Sequence, residues 1–234
     1  MLILSCIFAT RIKKYNNMGL DISVYKIVKH PKNEDSYYFR LIDDDGNYNR
    51  RNFPEWTKEF EQEVTEDWFD WEKFKEETGI DINNCDWHGE SYGPEGSFME
   101  VSPKGVELPI WDASVYKDYD EFKAEEDKIM IRIDLDKVPT YKKTIKVLYH
   151  EEVGYQRKGL NDKFYDDYQD GKIGYFVWSL AELQRYKDEY CDEPYEYKYP
   201  NGEMSGEIVK PKENFQHNII DHFTEGEDVV TFDW

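Results

Sequence analysis

The fold is decided by Glu151-Glu152-Val153-Gly154-Tyr155-Gln156-Arg157-Lys158-Gly159-Leu160 and by the segments downstream of it, Asn161 to Gly171, Lys172 to Val177 and Ser179 to Tyr190. Two carboxylates at its start suit the positive end of a helix dipole, and Val153, Leu160, Phe164 and Tyr168 recur at helical spacing down to Gly171. The spacing predicts a helix from Glu151 that carries Arg157 and Lys158 and stops at Gly171. Tyr175-Phe176-Val177 is aromatic and β-branched, the composition of a short, largely buried strand. Ser179 and Glu182 form a Ser-x-x-Glu capping box at the start of a second helix, with Trp178 and Leu183 as its hydrophobic staple. Losing that cap is expected to cost about 1 kcal/mol.

Upstream, Leu20, Ile22 and Val24 alternate with polar neighbours as a first strand, and Tyr37 to Ile42 reads as a second, closed by the turn Asp43 to Asn47. Thr65 is the expected cap of a helix that places Trp68, Trp71 and Phe74 on one face and ends at Gly79. Asn83 to Ser97 reads as a loop, and Phe98 to Val101 with Val106 to Leu108 as a hairpin around Pro103-Lys104-Gly105. Ile129, Ile131, Ile133 and Leu135 alternate as a strand, with Tyr141 to Tyr149 as its expected partner. Downstream come an aromatic loop and turn at Tyr195 to Gly202, a short helix at Phe215 to Phe223 and a closing strand at Val229 to Phe232. Alternation this regular predicts an α+β fold, an antiparallel or mixed sheet with helices packed mainly on one face. A chain of 234 residues suits a single domain over residues 18–234, with room for a small second lobe.

The formal charge of −21 opposes non-specific attraction to nucleic acid or anionic membranes, because those surfaces recruit Lys and Arg. Nineteen Tyr and seven Trp suit either an aromatic core or an acidic and aromatic surface made for another protein. Cys6, Cys85 and Cys191 are too few and too scattered for a disulfide framework, which fits a reducing cytoplasm. The apolar run Leu2 to Ala9 is too short to span a bilayer, and its basic residues come after it rather than before it.

Motifs of chemistry fail on their spacing. His150-Glu151-Glu152 lacks the second His of a zinc-protease helix, the acidic run ending at Asp170-Gly171 lacks calcium-loop ligands, and no phosphate-binding glycine loop occurs. Cys85 with His88, and His217 with His222, have spacings that zinc accepts, but each is only a pair, and no metal or cofactor is expected from them. Two charge anomalies remain. Glu55 to Glu77 holds ten carboxylates against three lysines, which reads first as a solvated acidic face over an aromatic stripe. Lys137 to Lys163 is a basic island of net +4, in which Lys142, Lys146, Arg157 and Lys158 are candidates to converge on one anionic group, with Tyr155, Asn161 and Trp178 beside them. Arg forks onto phosphate and rings stack on bases. The competing reading is that these cations balance acidic faces within the fold.

Glu152 to Asn161, the strand and capped helix after it, and Met18-Gly19-Leu20-Asp21-Ile22 resemble a family of uncharacterised proteins found mainly in bacteriophages and prophages. Those proteins begin Met-Gly-Leu-Asp and carry a Tyr-Trp-Arg-Lys-Ala-Asn helix before an aromatic strand. The chain departs from that pattern at Gln156, where the family has Trp, and at Gly159-Leu160, which moves Asn161 one place along. The resemblance implies a phage-type origin, a place in the host cytoplasm and Met18 as the start, with residues 1–17 as an extension. It implies no activity. Three functions stay open: an accessory protein that binds a small nucleotide-like anion, such as a host defence signal that it would sequester; an acidic inhibitor of a basic host protein, akin to a nucleic-acid mimic; and an enzyme on a nucleotide-like substrate. The sequence is silent on oligomeric state.

Overall fold

A computed structural model describes residues 20–30, 37–43, 45–93, 96–199 and 202–233. In chain order the elements are β1 (Asp21–Ile27), β2 (Tyr38–Arg40), β3 (Gln62–Phe69), α1 (Trp71–Thr78), β4 (Cys85–Gly93), β5 (Gly96–Pro103), α2 (Tyr119–Glu126), β6 (Ile131–Asp134), β7 (Thr140–Arg157), α3 (Asp162–Gln169), β8 (Phe176–Val177), α4 (Leu180–Tyr190), β9 (Tyr195–Lys198), β10 (Met204–Val209), α5 (Pro211–Asn218) and β11 (Asp228–Asp233). The fold is α+β, and every strand pair with a defined register is antiparallel. The chain divides into two compact units, one of residues 65–144 and the other of the remaining described residues. The extension expected at residues 1–17 lies outside the described residues.

The larger unit is built on a sheet of order β2-β7-β1-β11-β8. β1 is its centre. Ile22 and Val24 sit beside Gln156 and Gly154 of β7 and beside Phe232 and Val230 of β11, so one parity of all three strands shares a face. That face is dry: Ile22, Val24, Val230 and Phe232 pack with Phe164, Leu183, Tyr186 and Phe215 from the helices α3, α4 and α5 and with Ile219 just after α5. At Gly154 the end of α5 and the turn after it come close to the sheet, since a Cβ there would lie 2.7 Å from the Asn218 carbonyl oxygen and 2.9 Å from His222 Cβ. The opposite face bears Ile27, Leu148 and Val229, with Leu41 and the rings of Tyr25, Phe39, Phe53, Trp56, Phe176 and Trp178 packed on them. Between Val24 and Tyr25 the register steps from Gly154 to Glu152, so Val153 is an extra residue, a β-bulge.

The smaller unit holds the sheet β4-β5-β6. Its core is Phe74, Met99, Val101, Ile133, Leu135 and Val138, with Trp71, Ile80, Ile82 and Cys85 against them. Asp70 caps α1 by accepting from the Lys73 amide, and Gly79 ends it in the left-handed conformation at φ 78°.

Several expectations are corrected. Glu151 to Arg157 is the end of the long strand β7, and the helix starts only at Asp162. Thr65 lies in β3, not at a helix cap. The expected loop at Asn83 to Ser97 is mostly β4, which pairs with β5, so the hairpin lies one strand earlier than the composition suggests. β6 pairs with β5, whereas Tyr141 to Tyr149 lies in β7, which pairs with β1 and β2. Ser179 makes no side-chain cap bond; the Leu180 amide donates to Glu225 at 3.3 Å and Glu182 accepts from the Tyr186 hydroxyl at 3.0 Å. Trp178 and Leu183 lie in separate clusters, so the staple is not made. The turn at Asp43 forms as expected, its carboxylate accepting from the amides of Asp45 and Asn47 at 3.1 and 2.8 Å.

Candidate functional site

Because β7 stays extended, Lys146 and Arg157 stand apart along it. Lys146 and Arg157 are eleven residues apart on one strand of the larger unit; at about 3.3 Å per residue, that spacing is roughly 36 Å. A helix from Glu151 would have folded the chain back on itself; the strand does not bring these residues together.

Each candidate residue has a local role. Lys146 Nζ lies 3.2 Å from Glu61 Oε2 and 4.6 Å from the Tyr48 ring centre. Glu61 also sits 3.0 Å from Arg50 Nε, off the N–H direction, and accepts from the Tyr48 hydroxyl at 3.0 Å. Arg50 donates to Thr57 Oγ1 at 2.6 Å and to the Pro54 carbonyl at 3.0 Å. With the Arg50 and Glu61 side chains only 12% and 11% exposed, this hub ties residues 48–61 to β7. The Trp178 indole donates to the Asn52 carbonyl at 3.0 Å and packs against Phe53 and Trp56. In the smaller unit Lys142 pairs with Asp67 at 2.7 Å.

Lys158 and Asn161 shape the corner between β7 and α3. Lys158 is left-handed at φ 65°, its amide donates to the Leu20 carbonyl at 2.7 Å, and its carbonyl accepts from Gln156 Nε2 at 2.9 Å. Asn161 is the N-cap of α3, accepting from the Phe164 amide at 3.4 Å, and its Nδ2 donates to Asp192 at 3.3 Å.

Tyr155 and Arg157 do share a surface, the face of the central sheet opposite the helices. Register places Asp21 beside Arg157 and Asp233, and Ser23 beside Tyr155 and Thr231; past the bulge, Tyr25 lies beside Glu152. The Tyr155 hydroxyl donates to Asp21 Oδ1 at 2.6 Å, and that bond to a carboxylate raises the phenol's pKa. Arg157 Nε lies 3.8 Å from the same oxygen, with its side chain 66% exposed. Ser23 donates to Glu152 at 3.1 Å. Asp21, Glu152 and Asp233 thus share the face with one guanidinium, which makes this end of it acidic. Asp21, Ser23, Glu152, Thr231 and Asp233 are absent from the sequence-based candidates, because strand parity reveals them only once Glu151 to Arg157 is read as extended.

Beyond that patch, the face holds His150, stacked 4.1 Å from Phe39 and tilted 4.3 Å from Tyr25. Burial pushes its pKa down to about 4, so it stays neutral as part of the aromatic packing. Burial pushes the Cys191 thiol up to about 12 and raises that of Cys85 as well, so neither is an activated nucleophile. Cys85 Sγ donates to the Asp81 carbonyl and His88 Nε2 meets Ser102 Oγ at 2.8 Å; among the described residues no group of three or more His, Cys, Asp or Glu is arranged to hold a metal. No described helix is long and apolar enough to cross a membrane.

Compared with protein-family profiles, curated proteins and solved structures, the chain finds no match.

Proposed function

We propose that this is a binding protein that presents acidic and aromatic surface to a basic protein partner. One observation carries the reading: the cations of the basic island are already countered within the fold. Lys137 pairs with Asp134, Lys142 with Asp67, Lys146 with Glu61, Arg157 with Asp21 and Lys163 with Glu189, while Lys143 lies over the Trp68 ring. What the chain has left over is carboxylate, to the extent of its −21 charge, beside exposed rings such as Tyr92, Tyr119, Tyr195 and Tyr197. Such a surface attracts cations at long range and offers tyrosine rings for contact. The resemblance to phage proteins makes a host protein the expected partner. A second reading, binding of a small nucleotide-like anion, is favoured by Lys158, which among the described residues is the one island cation with no ion pair or ring contact.

The two readings separate in one comparison. Native mass spectrometry of the intact protein with a panel of nucleotides is run beside anisotropy with a labelled arginine-rich peptide at about 0.05 M and about 0.5 M salt. Peptide binding that weakens at least about tenfold at high salt, with no retained nucleotide, is the expected result. A nucleotide retained by the protein and lost in Arg157→Ala/Lys158→Ala moves the assignment to the small anion.

A further inference from the structure

We propose that the β9–β10 hairpin is the docking arm of the protein, and that β9 takes an extended, Arg- or Lys-rich segment of the partner along its free edge as a third strand. The proposal rests on the acidic-surface reading and locates it. Among the described residues β9 and β10 pair only with each other. A two-stranded hairpin is marginal alone, and an unpaired edge is a template for another strand. The two edges differ. β10 has a register irregularity between Met204 and Ile208, with Gly206 left-handed at φ 76°, and bulges of this kind blunt an edge. β9 is regular. The Tyr199 amide donates inward to the Glu203 carbonyl at 2.8 Å, and the Tyr199 carbonyl accepts inward from Gly202 at 2.9 Å. Alternation then turns the amides and carbonyls of Lys198 and Glu196 outward, to the free edge.

Side-chain chemistry selects the occupant. Tyr195, Tyr197 and Tyr199 fall on one parity of β9 and are 46%, 47% and 46% exposed, a row of open rings on one face. From Asp192 to Val209 the chain carries five carboxylates and a single lysine. An incoming strand therefore meets main-chain donors and acceptors at its backbone, rings suited to guanidinium or ammonium groups, and a negative field that favours cations.

The probe is a fluorescein-labelled peptide of alternating Arg and Val, titrated into the full chain, with amide hydrogen exchange monitored at β9. Binding is expected to slow exchange at Glu196 and Lys198 by about tenfold or more. Lys198→Pro, which removes one outward donor, and the triple change Tyr195→Ser/Tyr197→Ser/Tyr199→Ser should each weaken binding about tenfold. Both variants should keep the parent's melting temperature, since neither strand pairs with the main sheet, and Arg157→Ala should bind as the parent does. Peptide binding that leaves β9 amides unprotected and ignores both variants overturns the hairpin while the acidic-surface reading stands. Failure of the parent chain to bind the peptide at low salt overturns both.

Discussion

The two faces of the central sheet are made by the same strands one residue apart, yet they do opposite things. Ile22, Val24, Val230 and Phe232 face the helices and are fully buried among apolar neighbours. Asp21, Ser23, Tyr155, Arg157 and Asp233 face the other way and form a hydrogen-bonded, charged patch. Beyond the bulge that second face turns aromatic, around Phe39, His150 and Phe176. Parity alone separates core from surface here, and the single extra residue Val153 sets the parity for the rest of β7. A motif is thus a structural device first: Glu152 to Asn161 places a bulge, a close approach at Gly154, a left-handed corner and a helix cap in one run.

Gly154→Leu is the severest way to break the contrast. Its Cβ alone would lie 2.7 Å from the Asn218 carbonyl oxygen and 2.9 Å from His222 Cβ, and the chain is expected to lose its cooperative thermal transition, a loss of about 5 kcal/mol or more. Phe164→Ala attacks only the helix-covered face; its ring is fully buried, and a loss of about 3–5 kcal/mol in denaturant unfolding is expected. His150 tests the other face through pH. Its folded pKa is depressed from 6.5 to about 4, so the unfolded chain takes up the proton first. The stability is present above pH 6.5 and falls as the pH drops toward 4, by on the order of 3 kcal/mol in all. His150→Phe should remove that part of the slope, which stability measured from pH 7 to pH 4 would reveal. Arg157→Ala should change stability by less than about 0.5 kcal/mol, because its ion pair is exposed and long; a larger loss would make the polar end of the face part of the fold's support.

Parts of this architecture are legible in the sequence, and others are hidden for physical reasons. β1, the Asp43 turn, the Gly79 and Gly171 stops and β11 are readable, because alternation and left-handed glycines are local signals. The helix expected from Glu151 fails even though its four marker residues belong together. Val153, Leu160, Phe164 and Tyr168 do all meet one core, but they reach it from a bulge, a corner and a helix rather than from one continuous helix. β4 is hidden because a Gly- and Ser-containing stretch with a register step between Trp87 and Gly89 resembles a loop in composition. Of the candidate site, the basic island is visible and its dispersal is not, since Arg50, Asp67 and Glu61 join it only through long-range pairing. The tyrosine row of β9 shows in the sequence as an aromatic loop; its edge appears only with the hairpin.

The two described cysteines fall in different units. Cys85 lies against the core of the smaller unit and Cys191 is buried in that of the larger, each with a thiol made sluggish by its surroundings. In a chain with Cys6→Ser, a pulse of alkylating reagent would thus label the buried Cys191 only when the larger unit opens, whereas the half-buried Cys85 is within reach without such opening. Cys191 is a tell-tale, and peptide mapping after the pulse, with Cys85 as the reference, would time how often that core breathes.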